Sequence, residues 1–273
     1  MQNYKQQYYP TTLEAVHLLV LYLVLQSFID FPLAMFDYQK GTDLLSNTWI
    51  SFISNLFVTA FIFFYGYKKS QNKFSNIFAL KRFNPALIFS LVIILPALQY
   101  LIGFLNTGVE KILPAPEWFW ELFEKIIENR FGFLGAVFKV AILAPIIEET
   151  LFRGIIMHGF MRNYKNWYSI VISALMFSIY HLNPWQMPYT FFLGLLLGWL
   201  MVRSQSLTLC IIAHSLNNLI VLLSITYHNQ LSESWISKFS TFENITISVF
   251  ALIIGGISIY YITQKKKPKS ITT

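Results

Sequence analysis

Apolar stretches follow one another along the chain, separated by short polar breaks. Stretches of spanning length lie near residues 13–36, 48–67, 85–104, 131–161, 167–182, 186–202, 206–227 and 245–263. A helical crossing takes about 20 residues at about 1.5 Å of rise each, so the pattern predicts an all-α, polytopic bundle of about eight transmembrane helices. Residues 114–130 follow another pattern: Trp118, Leu122, Ile126 and Ile127 interleave with Glu117, Glu121, Glu124 and Lys125 at helical spacing. That predicts an amphipathic helix on the non-cytoplasmic membrane surface, leading into the fourth crossing. With no repeat, low-complexity stretch or interdomain linker, residues 1–273 are expected to form a single integral membrane domain.

Composition agrees with the pattern. The chain is 55% hydrophobic and 12% charged, whereas soluble domains carry about 25% charged residues. Its mean hydropathy is +0.53. The formal charge of +7 is gathered in clusters: Lys68-Lys69, Lys73, Lys81-Arg82, Arg162, Lys165, Arg203 and Lys265-Lys266-Lys267. These clusters follow the second, fourth, sixth and eighth stretches, while the opposite loops carry Asp37, Asp43, Glu233 and Glu243. The positive-inside rule therefore predicts both termini in the cytoplasm, and reads the clusters as topology determinants in a lipid bilayer rather than as nucleic-acid contacts. The polar N-terminus lacks the layout of a cleaved signal peptide, so the first stretch is expected to act as an uncleaved signal. The one cysteine, Cys210, rules out an internal disulfide and a thiolate cluster, and is expected to be a small buried hydrophobe.

Three polar clusters interrupt the later stretches. The fourth carries AILAPIIEETLFRG, in which Pro145 removes a helix hydrogen bond and predicts a kink just before two carboxylates. Glu149 and Arg153 are four apart and can pair on one face, while Glu148 points about 100° away and faces other neighbours. Ionisable groups at bilayer depth cost roughly 3 kcal/mol each, a burden usually tied to function. The fifth stretch ends at His181 after 15 residues, about 22 Å of helix against a core of about 30 Å. His181 is thus expected below the interface, with Phe177 packed beside it and a bent connection through Asn183, Pro184, Trp185 and Pro188.

The seventh stretch carries His214 and Asn218 on one face, with Asn217 on a neighbouring one. From residues alone the inventory suggests an intramembrane hydrolytic site, but a proton- or ion-coupled relay and a structural polar network stay open. Gly194 and Gly198 form a small-xxx-small pair that predicts close helix packing. His17, His158 and His228 are expected to be interfacial or solvated.

The order EETLFR (148–153), FSIYH (177–181) and HSLNN (214–218) resembles the three-part signature of the CPBP intramembrane proteases. That family takes in the CAAX prenyl endopeptidases and the bacteriocin-processing and Abi proteins. The resemblance covers about residues 130–225 and implies hydrolysis of a hydrophobic or membrane-associated peptide, of CAAX or leader type, in a prokaryotic plasma membrane. Carried over, it makes Glu148 and His181 the catalytic pair that activates water, and His214 and Asn218 the stabilisers of the oxyanion. Glu149, Arg153 and Phe177 become supporting residues. The resemblance leaves both a metalloprotease and a metal-free glutamate-activated water open; no obligatory metal is expected, and the alternative is a zinc site of Glu149, His181 and His214. A coupled transporter and a non-catalytic immunity or scaffold relative are the competing readings.

Overall fold

A computed structural model describes residues 7–42, 44, 48–117, 132–227 and 239–264. Within these residues every apolar stretch forms a helix: α1 (Thr12–Lys40), α2 (Thr48–Ser70), the short α3 (Phe74–Ile77), α4 (Ala86–Ile112), α5 (132–163), α6 (Asn166–Tyr180), α7 (Met187–Ser204), α8 (Leu207–Thr226) and α9 (Thr241–Gln264). Five of them, α1, α4, α7, α8 and α9, are long and apolar enough to cross a membrane. The protein is an all-α integral membrane bundle. Most of the predicted amphipathic helix at 114–130 lies outside the described residues.

Local chemistry sets the helix ends. Thr11 caps α1 reciprocally, its hydroxyl accepting from Glu14 N–H while the Glu14 carboxylate accepts from Thr11 N–H. Gly41 closes the same helix in the left-handed region at φ 64°. Leu182 takes φ 49° just beyond α6. The Asn183 carboxamide then accepts from Trp185 N–H at 3.1 Å, which builds the bend foreseen after His181.

Pro145 shapes α5 differently from the simple kink the sequence suggests. The helix alternates α and π turns, with π stretches at Val137–Leu143 and Thr150–Ile156 on either side of Ala144–Glu149. Ala144 N–H bonds Lys139 O, five residues back. In that register the next donor would serve Val140 O, but Pro145 has no N–H to give. The Asn218 side-chain amide donates to Val140 O instead, at 2.8 Å. The widened turns absorb the proline and tie α5 to α8 at the level of the carboxylates.

Two large apolar clusters, with a smaller one of Ala136, Ala141 and Leu222, hold the bundle. Leu18, Ile62, Phe152, Ile155 and Phe177 join α1, α2, α5 and α6. Leu91, Leu95, Leu197, Leu209 and Ile259 join α4, α7, α8 and α9, with Met157 entering from α5. The glycine pair packs as expected: a Cβ at Gly194 would lie 2.9 Å from Ala174 Cα, and one at Gly198 3.3 Å from Ile170. Outward positions such as Phe57, Phe89 and Phe250 are exposed, as a lipid-facing surface requires.

Candidate active site

The site is anchored by a buried ion pair. Glu149 and Arg153 are both fully buried, and Arg153 Nη1 donates to Glu149 Oε1 at 2.8 Å. Arg153 Nη2 reaches across to Gly194 O at 3.1 Å, where the absence of a side chain lets α7 approach. Its guanidinium carbon also lies 4.8 Å from the Phe177 ring centroid, a cation–π contact. Charge compensation and shared hydrogen bonds make this burial tolerable.

That pair orients one histidine. His214 Nδ1 lies 2.9 Å from Glu149 Oε1. A carboxylate held by arginine can only accept, so Nδ1 carries the proton. Backbone geometry orients the other: His181 Nδ1 lies 2.8 Å from Phe177 O, again an acceptor only. Both imidazoles therefore turn Nε2 toward the same oxygen, Glu148 Oε2, at 4.0 Å from His181 and 3.9 Å from His214. Phe177 lies edge-on to both rings, with centroids 4.9 Å from His181 and 5.7 Å from His214. It fixes their spacing from the apolar side.

Glu148, His181, His214 and Asn218 line one end of a cavity of about 570 Å³, whose walls include Val140, Ala144, Leu193 and Val221. Asn106, Glu110 and Trp185 also line it, and the Trp185 indole N–H donates to Leu113 O at 3.1 Å, joining the α6–α7 turn to the end of α4. Such a chamber, apolar with a few convergent polar groups, suits a hydrophobic ligand presenting one polar bond.

All seven residues singled out from sequence thus meet in one place. Sequence reasoning missed the network beside them. Asn217 is fully buried; its Oδ1 accepts from Tyr189 O–H at 2.6 Å, and its carbonyl accepts from Gln99 Nε2 at 3.1 Å. Asn217 Nδ2 in turn donates to Asn218 Oδ1 at 3.0 Å, which orients the Asn218 amide. The available signal was Gln99, a glutamine well inside an apolar stretch. Cys210 is buried and its thiol faces Leu197 O, in keeping with a small packing residue.

As a zinc set, Glu149, His181 and His214 do not converge. Glu149 meets His214 at Nδ1, whereas His181 lies across Glu148 from the Nε2 side. Among the described residues no three His, Cys, Asp or Glu side chains form a metal-binding group.

The family model for type II CAAX prenyl endopeptidase Rce1-like proteins matches residues 130–220. An uncharacterized 24.3 kDa protein of Escherichia coli is 33% identical over 119 residues, covering 41% of this chain and 54% of that protein. The chain thus spans about half the length of this curated relative. No solved structure matches. The matched segment holds α5 to α8 up to residue 220, and with them Glu148, His181, His214 and Asn218. Through residues 130–220, the site-bearing core of this membrane protein is similar to the type II CAAX prenyl endopeptidase Rce1-like family.

Proposed function

We propose that the chain is an intramembrane endopeptidase that hydrolyses a peptide bond in a hydrophobic or membrane-associated substrate. The observation that carries this reading is the convergence of His181 Nε2 and His214 Nε2 on Glu148 Oε2 inside a mostly apolar cavity. At 4.0 Å the Glu148–His181 pair is too long for a direct hydrogen bond, and one water can bond to both.

In this reaction Glu148 and His181 hold the water, and Glu148 takes its proton as the oxygen attacks the scissile carbonyl carbon. The carbonyl oxygen gains negative charge beside His214. With Nδ1–H committed to Glu149, His214 donates from Nε2 as an imidazolium, and the buried Glu149 carboxylate stabilises that positive ring. Asn218 offers its second amide proton to the same oxygen, the first being held by Val140 O. The proton on Glu148 then passes to the departing amine, the C–N bond breaks, and two peptide products remain.

Basic residues gather at the end of the bundle where α5 and α7 finish. We assign that end, and with it both termini, to the cytoplasm. The cavity residues Asn106, Glu110 and Ile225 belong to the opposite end, so the substrate enters from the non-cytoplasmic half of the bilayer.

Purified protein incubated with a panel of membrane-anchored peptides tests the reading. Hydrolysis by the wild type and none by Glu148→Ala supports it. Ion or proton flux lost in Glu148→Ala, with no peptide cleaved by the wild type, would replace it with a transporter.

A further inference from the structure

A second cavity lies at the basic end of the bundle, remote from the carboxylates. Its volume is about 440 Å³, and its polar lining includes Asn76, Lys81, His158, Arg162, Asn166 and Gln205. These residues come from α3 and the link after it, the end of α5, the start of α6 and the C-cap of α7. No Asp or Glu lines it.

Lys81, His158 and Arg162 are the basic groups of the lining. Arg162 is fixed from two sides: Nη1 donates to Asn72 Oδ1 at 2.7 Å, and the guanidinium stacks 3.8 Å from the Tyr8 ring centroid. Its remaining N–H groups stay available. Lys81 is held by its backbone, whose carbonyl accepts from Ser206 O–H at 2.7 Å; its ammonium forms no ion pair among the described residues. His158 lines the same cavity beside the Asn76 backbone, with its Nε2 buried. The surroundings indicate what carries the anion. Phe74, Leu80 and Trp167 flank these residues in sequence and are strongly exposed, an apolar rim suited to acyl chains and the membrane interface.

We propose that this cavity binds a phosphate group carried by the headgroup of an anionic phospholipid. Basic pockets between transmembrane helices on the cytoplasmic side are one recurring form of such sites. The lipid bridges the end of α5 to the start of α6 and the end of α7, at the bundle end opposite Glu148. The proposal is independent of the hydrolytic reading, because it needs only binding.

Native mass spectrometry of the full chain tests it, using detergent micelles doped with phosphatidylglycerol or phosphatidylcholine. The wild type should retain phosphatidylglycerol preferentially. Lys81→Gln should weaken that retention about fivefold, as the loss of one cation near a membrane phosphate implies. Lys68→Gln serves as control: Lys68 stands over Phe64 on the same membrane side and outside the cavity, so retention should stay within about twofold of wild type. The thermal midpoint of Lys81→Gln should match the wild type, since its ammonium has no ion pair to lose. Equal loss in both variants, or loss in neither, would overturn the site. Displacement of phosphatidylglycerol by inorganic phosphate as effectively as by a short-chain phosphatidylglycerol would assign the cavity to free phosphate and overturn the lipid.

Discussion

Glu148 and Glu149 are neighbours in sequence and opposites in environment. Glu149 Oε1 is bonded by Arg153 at 2.8 Å and by His214 Nδ1 at 2.9 Å. Among the described residues Glu148 Oε2 accepts no direct hydrogen bond, and it stands 4.0 and 3.9 Å from two imidazole nitrogens. One carboxylate is committed to structure, and the other is open to a reactant. Mutation should separate them.

Glu149→Ala leaves Arg153 buried without its counter-charge and releases His214. Breaking one side of a buried ion pair costs about 3–5 kcal/mol. The variant should show a sharply lower thermal midpoint in detergent or fail to accumulate, whereas Glu148→Ala should melt near the wild type. Equal midpoints for both variants would contradict the division.

Asn218 couples two roles through Val140 O. Asn218→Ala removes the donor that replaces the missing Pro145 N–H, costing about 1–3 kcal/mol of stability. It also removes a proposed oxyanion donor, a loss of about 10²–10³ in kcat. Pro145→Ala restores a backbone donor in that register. The double variant should therefore recover part of the stability lost in Asn218→Ala and little of the activity. Strict additivity in thermal midpoints would show that Val140 O does not link the two.

Gly194 sets the α6–α7 distance and offers its carbonyl to Arg153. Gly194→Val should cost about 1–3 kcal/mol through overpacking and reduce cleavage by displacing the ion pair. Gly256→Val, where nothing lies within 4 Å of the new Cβ, serves as the control and should be close to neutral. Matching losses would show that the effect does not come from contact with Ala174.

Chelation should leave peptide cleavage intact, because the proposed chemistry needs only a water between Glu148 and His181. Activity lost on chelation and restored by zinc would move Glu148, His181 and His214 into a metal's coordination shell.

Much of this fold was legible in hydropathy alone, because each crossing must bury its backbone polar groups within a helix. The predicted stretch 167–182 became Asn166–Tyr180, and 206–227 became Leu207–Thr226. The pairing of Glu149 with Arg153 and the packing of Phe177 on His181 followed from helical spacing. The π turn before Pro145 was not legible, since the acceptor left there, Val140 O, is served by Asn218 from another helix. For the same reason the buried Asn217–Tyr189 pair escaped notice: a period along one stretch says nothing of its partner on the next. His158, expected to be solvated or interfacial, lines the cavity at the basic end of the bundle with residues of α3 and α7's C-cap.

Kinetics of Glu148→Gln on a cleaved membrane-anchored peptide, with thermal stability measured in the same preparation, test the central claim most directly. The substitution keeps the side chain's shape and removes its capacity to take a proton. The account predicts a loss in kcat of about 10²–10⁴ with the melting midpoint unchanged. Undiminished turnover by a folded Glu148→Gln protein would contradict it.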